Sequence, residues 1–298
     1  MRIFLTGATG FIGTALVSQL IAAGYQVVGL TRSQQGADIL KAAGAEAHFG
    51  DIEDVDSLRR GAMLSDGVIH TAFNHDFSTF ITNCEKDRLA ILAMGKALEG
   101  TQRPLIITSG VGMGSAGQSA LADEDHFNPE HQNPRKASEL AGVEVSDKGV
   151  NVSVIRLSQV HNPCKQGLIT SLIEIARQKG ISAYVDEGKN RWAAVHLGDV
   201  ALLYILALEK NSPGSRYHAV AEEGISMRKI AETIGLILNV PVVPIASSDA
   251  SAHFGWMSHF VVQEMSASSA LTRERLAWKP VGPDLITDLE QMSVQERQ

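Results

Sequence analysis

Short β-branched runs alternate with longer amphipathic segments through the first two hundred residues of this chain. Six runs have the length and composition of strands: residues 2–6, 26–31, 45–49, 67–71, 104–109 and 150–157. Between them the spacing predicts helices, notably over 13–24 and 85–100. In the second of these, Leu89 and Leu92 give way to Lys96 and Glu99, an apolar stripe passing into a charged face. Such alternation predicts an α/β fold, a doubly wound parallel sheet with helices on both sides. After residue 158 the rhythm loosens. Helices are expected over 167–180, 199–211 and 226–240, the last with Ser226 as N-cap.

A chain of 298 residues can bury one large core, alone or with an appended smaller lobe. The net charge of −7, with no run of lysine or arginine, argues against a nucleic-acid or anionic-membrane surface. No stretch approaches the roughly 18 apolar residues of a membrane helix. The opening MRIFLTG reads as a first strand rather than a signal peptide. Two cysteines, Cys84 and Cys164, lie far apart and outside any C-x-x-C spacing, so a cytoplasmic, reducing setting is expected.

TGATGFIG changes the picture. It places Gly7, Gly10 and Gly13 between the first strand and the first helix. Gly7 permits the tight turn, Gly10 lets a pyrophosphate approach the backbone, and Gly13 lets helix pack on strand. The helix N-terminus then faces the anion. A ligand-free βα turn would use the same glycines, but the position in a βαβ series favours a dinucleotide.

The spacing G-x-x-G-x-x-G, together with Thr6, resembles the short-chain dehydrogenase/reductase superfamily in its extended and atypical, epimerase/dehydratase-like branches. The resemblance covers most of the chain. It implies a Rossmann domain over 1–160, followed by a segment, 161–298, that returns to the sheet and forms a smaller α/β substrate lobe. It adds Thr9, Phe11 and Ile12 to the cofactor-binding set. GDIED resembles the family's turn after the third strand, where Asp51 and Ile52 would bracket adenine. GVIHTAF resembles the fourth strand and following loop, which would lay Thr71, Ala72 and Phe73 along the cofactor. RLSQVHN would set Leu157 and Val160 against the nicotinamide. RWAAVHLGDVA and LTRERLAWKP resemble two late segments of the family. A homodimer is expected by analogy.

The end of the second strand reads VVGLTRSQQ. It lacks the acid that would bond the ribose of NAD, and offers Thr31, Arg32 and Ser33. An arginine there suits the 2′-phosphate of NADP, although a solvated surface arginine would look the same. NADP is therefore expected over NAD.

Family members hold a substrate carbonyl with Ser or Thr and protonate it with the tyrosine of Y-x-x-x-K. Ser109 matches the first position. No tyrosine lies between the fifth strand and the sixth; His131 and Arg135 stand at the same spacing and resemble a subgroup with H-x-x-x-R. Arg135 can bond ribose hydroxyls but never deprotonates. His131 can donate as imidazolium, with a neighbouring arginine lowering its pKa. The alternatives are a solvent-facing histidine in a loop that also holds His126, and Lys136 in place of Arg135 at the ribose. Pro134 places the helix start there, which leaves His131 in the preceding turn.

The 74–82 loop, with residues 157–162, is expected to frame the pocket. FNHDFSTF (Phe73, Phe77, Phe80, with Asn74 and His75) either walls an apolar site or packs in the loop. The aromatic HFGWMSHFVV, 253–262, reads as a lid, a subunit contact or lobe core. His196 and Asp199 brace a helix start, and no metal site is expected. Three functions are weighed. The first is an NADP(H)-dependent oxidoreductase acting on a carbonyl or alcohol of a small, partly apolar molecule, with catalytic Ser109, His131 and Arg135. The others are an epimerase or dehydratase that retains its cofactor, and a redox sensor that binds NADP without turnover.

Overall fold

The computed structural model describes residues 1–117 and 121–295. The chain begins with β1 (Arg2–Thr6), α1 (Phe11–Ala22), β2 (Gln26–Thr31), α2 (Gln34–Ala42), β3 (Glu46–Phe49), α3 (Val55–Met63) and β4 (Gly67–His70). There follow α4 (Phe80–Leu98), β5 (Pro104–Gly110), α5 (Lys136–Ser146), β6 (Asn151–Leu157), β7 (Gln159–Asn162), β8 (Lys165–Gln166) and α6 (Ile169–Lys179). The remainder is β9 (Ser182–Val185), β10 (Arg191–His196), α7 (Leu197–Lys210), β11 (Arg216–Ala219), β12 (Glu222–Ser226), α8 (Met227–Leu238), β13 (Val242–Ile245) and four helices. These are α9 (Ala250–Phe254), α10 (Ser258–Val261), α11 (Ala270–Leu276) and α12 (Leu285–Gln295).

The central sheet has the order β11-β6-β5-β4-β1-β2-β3, parallel throughout. Both of its faces are buried. Along β1, Ile3 and Leu5 enter one core with Leu16, Val17 and Leu20 of α1 and Leu203 of α7. Phe4 enters the opposite core with Leu58 of α3 and Ile91 and Met94 of α4. Val27 and Val28, Ile69 and Val68, and Ile106 and Ile107 divide in the same way. Successive strand residues point to opposite faces, so a strand covered on both reads as an unbroken apolar run. Each such side chain contributes roughly 1.5–3 kcal/mol of burial.

The six expected strands appear within two residues of their predicted ends. The largest difference lies in α4, which starts at Phe80 rather than 85, so residues 80–82 are helix and not loop. Its first turn shows Ile81 to solvent, which hides it from a search for apolar stripes. Local polar groups close it instead: the Asn83 amide donates to Asp76 O and Thr79 Oγ1.

Past β6 the chain departs and returns. β11 pairs with β6, and α7 packs with α1 in the first core. Two smaller sheets, β12-β10-β7-β8 and β13-β9, lie outside the main one. They share a separate core with Ile169 and Ile173 of α6, Ile230 and Ile234 of α8, Phe254, Met257, and Leu285 and Leu289 of α12. Ser226 caps α8 as expected, its hydroxyl accepting from Lys229 N. Among the described residues no helix is long and apolar enough to cross a membrane.

Candidate active site

The strand order reverses between β1 and β4, where Thr6 pairs with His70. A crevice opens at the carboxyl ends of strands at such a point. Gly7 has φ +70°, and a Cβ there would lie 2.8 Å from Ala72 N and Thr71 Oγ1. A Cβ on Gly13 would come within 1.9 Å of Gly7 O, so strand and helix meet backbone to backbone. Gly10 meets only Gly7 O, at 3.2 Å, and is exposed together with Thr9. Gly10 is also the N-cap of α1 and supplies no side chain to its first turn. Phe11 and Ile12 are half-buried beside it. An open glycine edge and an uncapped helix N-terminus are what a pyrophosphate needs, so the residues present fit a dinucleotide.

Thr71 Oγ1 donates to Thr6 O, and Ala72 N donates to Thr6 Oγ1. The loop after β4 is thus tied to the end of β1. At the end of β2, Thr31 is buried and the Arg32 side chain is exposed. Arg32 Nε lies 3.7 Å from Asp51 Oδ2, which draws together two residues expected at opposite ends of the adenosine. The Ser33 hydroxyl caps α2 by accepting from Gly36 N. Its own proton stays available for a ligand. Ile52 is half-buried against the core under α3 and α4.

Ser109 lies near the end of β5, buried, and its Oγ has no hydrogen-bond partner among the described residues. Its neighbour Thr108 belongs to a network that the sequence did not reveal. Arg135 Nη2 donates to Thr108 O at 2.9 Å, and Arg135 Nη1 donates to Asp87 Oδ2 at 2.6 Å. Nη1 also donates to Ser138 Oγ, which in turn donates to Asp87. His70 Nε2 lies 3.0 Å from Asp87 Oδ1, and His70 Nδ1 lies 2.7 Å from Thr6 Oγ1. Burial alone would raise the Asp87 carboxyl, but Arg135, His70 and Ser138 outweigh it and hold it at about 2.

An ionised Asp87 accepts from His70 Nε2–H, while the other ring nitrogen, Nδ1, meets Thr6 Oγ1. That oxygen still accepts from Ala72 N. One chain of bonds therefore runs from the glycine turn to Arg135. The described residues take three of the five guanidinium N–H groups, leaving Nε–H and one Nη2–H for a ligand.

His131 stands in the turn before α5, half-buried. Its Nδ1 accepts from Asn133 N at 3.0 Å, which selects the neutral ring with the proton on Nε2. Burial, then the Lys136 charge, lowers its pKa. Burial is the larger cause, and the charge that adds to it is Lys136 rather than Arg135, whose charge faces Asp87. No hydrogen bond among the described residues joins His131 to Ser109 or Arg135.

Tertiary structure does bring a tyrosine to this strand. Tyr204 of α7 places its OH 2.6 Å from Thr108 Oγ1, fully buried on the sheet's other side. Burial pushes that phenol well above its ordinary range. Tyr204 is a core group: Thr108 Oγ1 gives its own proton to His70 O, so the Tyr204 OH donates to it. Val160 is buried in the first core, with half-buried Leu157 packed against it. Phe73 lies with its ring 4.0 Å from the Arg135 guanidinium carbon. Lys165, on the β7–β8 hairpin, brings its ammonium 5.7 Å from the Phe11 ring and so over the glycine turn, a placement without a sequence signal. His196 caps α7 by accepting from Gly198 N, while Asp199 accepts from Val281 N and Gly282 N.

The model of the NAD dependent epimerase/dehydratase family matches residues 3–220. An uncharacterized protein of Schizosaccharomyces pombe is 46% identical, with 97% of this chain and 98% of that protein covered. A 4-hydroxy-2-methyl-3-oxo-4-farnesyl-3,4-dihydroquinoline-1-oxide ketoreductase of Stigmatella aurantiaca is 25% identical, over 86% of this chain and 80% of its own. Among solved structures, the human epimerase family protein SDR39U1 with NADPH superposes with a TM-score of 0.75 at 20% identity, covering 99% of both chains.

Proposed function

The chain belongs to the NAD dependent epimerase/dehydratase family, and on that premise we propose that it is an NADP(H)-dependent oxidoreductase acting on a carbonyl or alcohol of a small, partly apolar molecule. The observation that carries this reading is the buried Ser109 hydroxyl, which has no partner among the described residues and sits one residue from the Arg135 anchor. A buried hydroxyl without a partner is costly, and a substrate oxygen would satisfy it. The ketoreductase relative supports the same reaction class.

When bound, the nicotinamide supplies or takes up a hydride. In the reductive direction, Ser109 Oγ–H orients the substrate oxygen. His131 then gives that oxygen one proton from its imidazolium form. The neutral ring, held by Asn133 N, can only hydrogen-bond, so protonating Nδ1 must break that contact. Arg135 offers Nε–H and Nη2–H to ribose hydroxyls, with Asp87 fixing its plane. Thr31, Arg32 and Ser33 would take the 2′-phosphate. Thr9 to Gly13 would take the pyrophosphate, with Asp51 and Ile52 at the adenine. Thr71, Ala72 and Phe73 would lie along the dinucleotide, with Leu157 and Val160 toward the nicotinamide. Residues 161–298 would supply the substrate lobe.

The test is NADPH oxidation against a panel of carbonyl compounds, from about pH 5.5 to 8.5, for wild type and His131→Phe. Turnover that rises toward acid and is lost in the variant makes His131 the acid. Turnover untouched by the substitution removes His131 from the chemistry. The bond from Asn133 N to His131 favours one further reading, a sensor that binds NADPH with no turnover.

A further inference from the structure

Segment 253–262 presents two faces. Phe254, Met257 and Val261 enter the lobe core, while Trp256 turns away from it and Phe260 packs both on that core and on the outer rings. They meet the loop after β4. Phe77 stacks on Trp256 at 4.6 Å between centroids and 12° between planes, and Phe260 stands edge-on to Phe77 at 5.4 Å. Phe80 lies 5.4 Å from Phe77 and 6.0 Å from Phe73, whose ring carries the Arg135 guanidinium. A continuous row of rings thus leads from Arg135 to solvent, and two separate parts of the chain build it.

Only Phe260 of this row also packs on the lobe core. Phe73, Phe77, Phe80 and Phe260 are only half-buried, and Trp256 is 45% exposed. A contiguous row of partly open rings beginning at the site is the kind of patch that contacts a ligand. Partly open faces and edges, in one stacked pair with tilted and T-shaped neighbours, suit another flat π system, which gains about 0.5–1.5 kcal/mol per ring pair beyond its area. A puckered saturated ring of the same size gains only area.

We propose that Phe77 and Trp256 are specificity-determining residues, and that the substrate's tail is a flat aromatic ring system lying against them. This rests on the oxidoreductase reading of the site. A carbonyl at Ser109 would then be joined to a ring running out along Phe73, Phe80 and Phe77. The side chains come from a loop beside the glycine turn and from the lobe, so the wall completes only when both are in place.

Equilibrium dialysis of 2-naphthalenemethanol and its decahydro analogue, with NADPH present, tests the proposal without requiring turnover. Two reduced partners form a complex that cannot react. Wild type should bind the flat alcohol about tenfold more tightly. That ratio should fall to about one in Phe77→Leu and in Trp256→Leu, with far-UV circular dichroism confirming that each variant is folded. Equal affinities in wild type, no binding of either alcohol, or a ratio that survives either substitution would overturn it. If the ratio behaves as expected but no carbonyl is ever reduced, the oxidoreductase reading fails and the aromatic subsite stands. If carbonyls are reduced while the affinities are equal, only the subsite fails.

Discussion

Arg135 Nη1 and Asp87 Oδ2 are 2.6 Å apart, a buried ion pair between positions separated by 48 residues. Arg135 is therefore anchored from behind by α4, and its remaining N–H groups are held in a fixed plane. Removing the partner leaves a guanidinium with 14% exposure uncompensated. Asp87→Ala should cost about 3–5 kcal/mol in urea or thermal unfolding. It should also weaken cofactor binding, because the Arg135 plane is no longer held. A loss below about 1 kcal/mol would mean that the pair is dispensable.

The glycine turn separates space from ligand binding. Gly13→Ala places a Cβ 1.9 Å from Gly7 O, backbone against backbone, and should destabilise the fold by about 1–3 kcal/mol or more. Gly10→Ala meets that oxygen only at 3.2 Å. It should fold with little change in Tm yet bind the dinucleotide about tenfold more weakly, read by fluorescence titration with NADPH. Equal Tm losses for the two variants would contradict this division.

Arg32 is exposed and lies 3.7 Å from Asp51, so it makes no contact that the fold depends on. Arg32→Glu should leave Tm within about 0.5 kcal/mol of wild type. It should weaken NADPH binding by about 1.5–3 kcal/mol, the scale of a charge-assisted hydrogen bond, while NADH binding holds or improves. The check is the ratio of the two dissociation constants; a ratio unmoved by the change removes Arg32 from cofactor choice.

Acid should destabilise the protein through a second buried network. Arg156 bonds Glu139 through two N–H groups, at 2.8 and 2.9 Å, and its Nη1 lies 3.2 Å from His218 Nε2. His218 Nδ1 donates to Ser268 O, so Nε2 accepts from Arg156. Burial, then the Arg156 charge, holds His218 at about 4. Its unfolded pKa is roughly 6.5. Above that value neither state carries the proton, and nothing is lost. Between roughly pH 6.5 and 4 the unfolded chain binds a proton that the folded chain refuses, so stability falls, by up to about 3 kcal/mol. Urea unfolding at intervals across that window checks the sign. His161, lowered mainly by burial, adds in the same direction. Asp87 acts lower still, losing its contribution as pH falls from about 4 toward 2.

By itself the sequence determined the fold class, the glycine turn and the absence of a tyrosine between β5 and β6. Each is a local signal. A strand buried on both faces writes an apolar run, and a turn with φ +70° at Gly7 writes a glycine. Ser226 and His196 at helix starts are equally local, since a cap bonds within three residues; the Ser33 cap was seen only in the structure. Tertiary structure decided what surrounds the expected site residues. Asp87 and His70 look like ordinary members of a helix and a strand until parallel pairing sets β4 beside β1 and α4 beneath Arg135. Tyr204 reaches Thr108 across 96 positions, and Trp256 reaches Phe77 from the far lobe. The physical reason is range. Periodicity and capping report on neighbours a few residues apart, whereas a buried charge or an exposed ring is defined by partners that only the folded chain brings within 3 to 6 Å.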